Sequence, residues 1–237
     1  MKKINLLVAV LSAFVSINSY GQTVDEIADK HVAAMGGLDK LNTVKTIVTE
    51  LSFAINGMEI PTKTFLVVGK SLRSESTIMG NAMVQTVSDS KGWMIRPTMM
   101  GGTGEPEDMP ADELKRQISQ LDPFGGLVNY KEKGNTVELV GKEKVDKKDA
   151  YHIKLTTKEG QVIDEFLDAN TYLVNKVKMS VNGQDTELNL SDYKDIEGIK
   201  FPHAMDITSS MGALTMITNK IIINSQLDDA IFKRPVK

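Results

Sequence analysis

The sequence has no cysteine among its 237 residues. That excludes disulfides, a thiolate nucleophile and a cysteine-built metal site. It also excludes the lipid anchor that is attached to a cysteine just after an export signal. Histidine is nearly absent too. His31, His152 and His203 are far apart, and no HExxH or other close ligand spacing is present. His31, on a helical stretch, reads as an ordinary satisfied side chain rather than a ligand. No serine lies in a GxSxG elbow. "GNTVELVGK" (134–142) lacks the lysine–serine/threonine ending and the following helix of a phosphate loop. Adjacent acids such as Asp164–Glu165 and Asp228–Asp229 read as solvated charge. Neighbours in a strand face opposite ways, so Asp164 and Glu165 make a poor glycosidase pair. There is no basic excess either: 28 Lys and Arg stand against 31 Asp and Glu. That argues against nucleic acid as a partner. After residue 21, no apolar run is long enough to cross a bilayer as a helix.

The first residues do carry a signal. "MKK", the apolar "INLLVAVLSAFV" and the small, polar "SINSYG" have the layout of a secretory signal peptide. Residues 1–21 are therefore expected to be removed, leaving a chain that begins at Gln22. Loss of Lys2 and Lys3 takes the formal charge from −3 to −5. An exported chain without an anchor is expected in the periplasm, or less readily secreted. Residues 22–237 suit one large β-rich domain.

Thr23 to Met35 reads as a helix, with Thr23 as N-cap, acids in the first turn and Gly36–Gly37 as the stop. "LDKLNTV" reads as a short turn. From Val44 the apolar period becomes two, and strands follow. Asn56–Gly57 is a hairpin signal, and "DSKG" (89–92) another. "PADELKRQISQLDPF" (110–124) is the one convincing internal helix, with Leu114, Ile118 and Leu121 on one face. Seven more strand patterns separated by short turns complete the chain. Short links imply antiparallel neighbours. The expected fold is mainly β (α+β): one large, curved antiparallel sheet with two helices on its concave side.

Methionine is the other conspicuous feature. Met79, Met83, Met94, Met99, Met100 and Met109 fall within 31 residues. Thioethers suit Cu(I), but neither regular spacing nor a nearby histidine supports a copper site. Methionine also suits surfaces that must fit variable apolar partners. Met99 and Met100 lie in a loop by composition, "RPTMMGGTGEPEDMP" (96–110), which reads as a greasy, flexible lid over a cavity. Trp93 and Met94 should point opposite ways, with one facing that cavity.

The C-terminal half contains "DEFLDANTYLVNKVKM", "YKDIEGIKFPHAMDI" and "IIINSQLDDAIFKRP". With "ADKHVAAMGGLDKLNTVKTI" near the start, this pattern resembles the LolA-like superfamily of periplasmic lipoprotein-sorting and lipid-carrier proteins. The resemblance covers nearly the whole chain after residue 21. Its matching residues, among them Gly198, Phe201, Pro202, Asn224 and Phe232, are turn and packing positions. The resemblance implies an incomplete barrel of about eleven antiparallel strands, with helices lining or plugging the concave side. It also implies an apolar interior for acyl chains, no catalysis and no cofactor. Expected partners are lipid or lipoprotein acyl chains, with envelope membrane proteins as candidates. The expected ligand-binding set is Met79, Met83, Trp93, Met94, Met99, Met100, Leu114, Ile118, Leu121 and Phe124. Two alternatives stand beside the carrier: a scaffold domain whose barrel is filled by its own side chains, and an enzyme with a scattered site.

Overall fold

The computed structural model describes residues 22–235, apart from 56, 182 and 211. The expected signal peptide, residues 1–21, lies outside the described residues. Helix α1 (Val24–Met35) begins where expected. The Thr23 hydroxyl accepts from the Glu26 amide, and Glu26 accepts from the Thr23 amide, which satisfies two donors that would otherwise be left free at the helix start. Its buried face is Ile27, Ala28, His31 and Met35. The His31 ring pairs through Nδ1 with the Tyr172 carbonyl at 2.8 Å, and burial pushes its pKa down. Gly36 ends the helix at φ 128°. A Cβ there would lie 2.3 Å from the Gly198 carbonyl oxygen, so the helix end rests on bare backbone. "LDKLNT" is not only a turn: it forms a second short helix, α2 (Leu38–Thr43). Burial of Leu41 in the core favours the helical form over an exposed link.

The first strands are β1 (Thr46–Ile55), β2 (Met58–Val67), β3 (Ser71–Ile78), β4 (Asn81–Ser88) and β5 (Lys91–Ile95). A two-residue β6 (Glu107–Asp108) follows, inside the stretch expected to be all loop. Helix α3 (Ala111–Ser119) comes next. Then come β7 (Thr136–Val145), β8 (Lys148–Thr156), β9 (Val162–Asp168), β10 (Val174–Val181), β11 (Gln184–Ile196), β12 (Ile199–Ser209) and β13 (Gly212–Ile223). All join one antiparallel sheet in the order β6-β5-β4-β3-β2-β1-β13-β12-β11-β10-β9-β8-β7. It consists of two meanders joined through β1 and β13. The end strands β6 and β7 are not paired with each other, so the sheet stays open. Asn56 of the expected hairpin lies outside the described residues; Gly57 beside it has φ 79°, a conformation that glycine adopts without strain. Among the described residues, no helix is long and apolar enough to cross a membrane.

Directly opposed residues share a face, so rows can be followed across the sheet. Ile223, Ile47, Leu66, Leu72, Val87 and Gly92 form one such row. Its five side chains are buried with Met35, Leu41, Met94 and Met109, each contributing roughly 1.5–3 kcal/mol on burial. At Gly92 a Cβ would lie 2.9 Å from both Leu114 Cδ1 and Met109 Sδ. The missing side chain is what lets the α3 segment sit on the sheet. Gln117 of α3 donates to Gln85 Oε1 at 3.0 Å, and Gln85 donates in turn to Glu113. A second cluster packs Ile27 and Ala28 of α1 on Tyr151, Ile153, Leu155 and Leu167. The helices therefore pack on one face, here called inner. On the outer face, a 3-10 turn at Asp229–Phe232 covers β3 and β4.

Candidate functional site

The core does not fill the inner face. Phe53 on β1 opposes Met216 on β13, which opposes Met205 on β12, which opposes Leu190 on β11. Phe53 also opposes Ile60 on β2. A parallel row runs from Leu214 through Ile207 and Leu188 to Val177 on β10. These nine side chains are half-buried and belong to neither main cluster. Strand alternation and the ladder register place them on the same inner face as Leu51 and Ile47. They form an apolar strip, here called the trough, beside the helix-filled end.

Val177 opposes Glu165 on β9, and Glu165 opposes Ile153 on β8. Glu165 therefore stands in the apolar row, between fully buried Ile153 and half-buried Val177. Its Oε2 is buried and has no hydrogen-bond partner among the described residues. Burial pushes its pKa up to about 7, against the opposing pull of the Lys133 ammonium. Lys133 is itself engaged with Asp122 and with the Gly125 carbonyl. On β11 the Tyr193 hydroxyl donates to the Val174 carbonyl at 2.7 Å, and burial, with Glu165 nearby, raises its pKa. The reading of Glu165 as solvated charge is corrected here. Asp164, on the outer face, is half-buried and bonds His152 at 2.7 Å. That imidazole also meets Glu143 at 2.7 Å and stacks on Phe166. Asp228 and Asp229 are exposed, and Asp228 caps the Ala230 amide.

The residues expected to bind ligand divide into four groups. Met94 and Leu121 are buried in the main core, and Leu114 and Phe124 pack against it. Trp93 does point away from Met94, yet it too is buried, because its indole donates to the Phe232 carbonyl at 3.1 Å on the outer face. Met83 lies half-buried on the inner face, in the row of Leu51, Thr62 and Ser76 that borders the trough. Met79, Met99, Met100 and Ile118 are exposed. Met79 and Met99 meet around Asn81 at the far end of β3 and β4: the Asn81 amide donates to the Met79 carbonyl and lies 4.0 Å from Met99 Sδ. They stand into solvent at the rim rather than across the trough. A cleft on the outer face, beside Trp93 and Phe232, mixes Lys70, Lys91 and Arg234 with Asp89, Asp108 and Asp229. It offers no consistent sign of charge.

Sequence reasoning did not single out the trough residues, and it read Glu165 as solvated charge. A signal for both was present. Leu188 and Leu190, Met205 and Ile207, and Leu214 and Met216 alternate at period two, and Glu165 shares its parity with Ile163 and Leu167.

No protein-family model and no curated relative matches the sequence. Solved structures do. A DUF1329 family protein from Desulfovibrio piger superposes with TM-score 0.61 at 17% identity, covering 90% of this chain and 98% of that one. A LolA superfamily protein from Nitrosomonas europaea gives TM-score 0.60 at 14% identity, covering 90% and 98%. The chain has the LolA-like fold. A domain from Vibrio parahaemolyticus named for outer membrane lipoprotein sorting agrees, with TM-score 0.55 at 16% identity and coverage of 87% and 94%. At such identities the likeness is one of fold. Within this LolA-like sheet, the trough residues are the part of the inner face that lies outside the two helix-covered clusters.

Proposed function

We propose that the protein is a periplasmic, non-catalytic carrier or chaperone that takes acyl chains of lipids or lipoproteins into the trough. The observation behind this reading is the half-buried apolar surface of β1 and β10–β13, open on the inner face and outside both cores. Each methylene moved from water into such a trough contributes about 0.8 kcal/mol. A chain of a dozen carbons thus gains on the order of 10 kcal/mol before ordering costs. Such a ligand needs area and adaptable side chains, which Met205, Met216 and Met83 supply. Met79, Met99 and Met100 at the rim serve as a deformable cover once a chain is bound. The resemblance of the sequence and the fold of the lipoprotein-sorting neighbour support the same reading.

A scaffold role with a self-filled interior is the second reading. The fully packed end under α1, α2 and α3 favours it. Native mass spectrometry of the protein isolated gently from its own compartment separates the two. The carrier predicts a co-purifying lipid or acylated peptide that a fatty-acid probe displaces. The companion variant is Met216→Asp, which places a charge in the trough. It should lower probe affinity at least about tenfold while the fold is kept. A clean apo mass with no probe binding would leave the scaffold.

A further inference from the structure

Glu165 is unexplained by a purely apolar trough. A carboxyl in the middle of an apolar row is disfavoured unless something bonds it. Its place adds meaning. On one side Ile153, Leu155 and Leu167 are fully buried; on the other, Val177, Leu188 and Ile207 are half-buried along the trough. Glu165 thus marks the line where the protein's own packing stops and the trough begins. Among the described residues, its Oε2 has no hydrogen-bond partner. Two titratable groups are linked to it: Lys133, from the loop before β7, acts on it but is held by Asp122 and Gly125, and Tyr193 from β11, whose pKa Glu165 helps to raise, donates its hydroxyl to Val174.

Resting on the carrier reading, we infer that the Glu165 carboxyl is the polar anchor of the trough, donating a hydrogen bond to the ester carbonyl of an acyl lipid whose chain lies along Val177, Leu188 and Ile207. The uncharged acid is the donor, and a carbonyl is the acceptor an acyl ester brings to this depth. A cationic headgroup would need an ionised carboxylate in an apolar wall, and burial opposes that ionisation. The burial that raises the carboxyl's pKa to about 7 keeps the donor available in acid and removes it in alkali.

The test uses methyl laurate and n-tridecane, near-equal in length and differing in the ester, as competitors for a bound naphthylamine fluorophore. The wild-type protein should prefer the ester about tenfold in mildly acidic buffer, near pH 5.5, and lose that preference near pH 8.5. Glu165→Gln keeps a donor at every pH, so its ester preference should persist without pH dependence. Glu165→Leu should bind both competitors alike at both pH values, and the leucine suits the apolar row, so folding is retained. An ester preference that survives in Glu165→Leu, or a pH dependence that persists in Glu165→Gln, overturns the anchor. If the wild-type protein binds neither competitor nor fluorophore, the carrier reading itself fails.

Discussion

Glu165→Gln should change how stability depends on pH in the unliganded protein. The native carboxyl holds its proton to about pH 7, whereas the unfolded chain releases it near 4.5. Below about pH 4.5 both states are protonated, and the native state keeps its full advantage over the ionised alternative. Between about pH 4.5 and 7 the unfolded chain ionises while the folded protein still holds its proton, so the unfolded state gains; above about 7 both ionise and the difference stops growing. The wild-type protein therefore loses stability across that window, and the variant, which never ionises, does not. At about 1.4 kcal/mol per pKa unit, the gap between 4.5 and about 7 corresponds to roughly 3 kcal/mol. Trp93 is the sole tryptophan and is buried, so its fluorescence reports unfolding cleanly. Urea unfolding of both proteins between about pH 4 and 8.5 should show the variant's midpoint gaining on the wild type by roughly 1 M. Other titrating groups cancel in the difference. A difference that stays flat within about 1 kcal/mol over this range would mean that the carboxyl is hydrated or paired in solution, and the buried-acid argument would be wrong.

Four other outcomes are expected. Met216→Asp weakens acyl-probe binding with little change in circular dichroism, as set out above. Met99→Asp, at an exposed rim position, should leave stability within about 0.5 kcal/mol of wild type; weakened probe binding would support the rim cover, and unfolding would contradict the exposed placement. Gly92→Ala puts a methyl 2.9 Å from Leu114 Cδ1 and Met109 Sδ; calorimetry should show a loss of roughly 1–3 kcal/mol, with α3 displaced. Thr23→Ala removes the hydroxyl that caps the Glu26 amide and should cost about 1 kcal/mol without affecting probe binding.

Much of the fold was legible from local pattern. The period-two runs, the capping residues and the short turns depend on neighbours a few positions apart, and those interactions are written directly in the chain. α1, α3 and the run of antiparallel strands joined by short turns followed from them. α2 was missed because six residues carry too little helical period to outweigh a turn-like composition. β6 was missed because its pairing with Trp93 and Met94 is a contact between segments, invisible inside "GEPEDMP".

The site divides along the same line. Sequence by itself determined that strands would alternate and that Trp93 and Met94 would face apart. Tertiary structure decided which apolar residues become core and which remain open. Met94 and Leu121 are sealed because α3 and the Met109 segment land on Gly92. Trp93 is sealed because the distant Phe232 turn lies over it. The trough residues on β11, β12 and β13 are as apolar as the core, yet they lie outside both helix-covered clusters. Glu165 follows the same rule. Its parity was in the sequence, but a carboxylate becomes a buried acid only when β8 and β10 are laid on either side and water is excluded. Burial is set by contacts between remote segments, so composition names the candidates and packing selects among them.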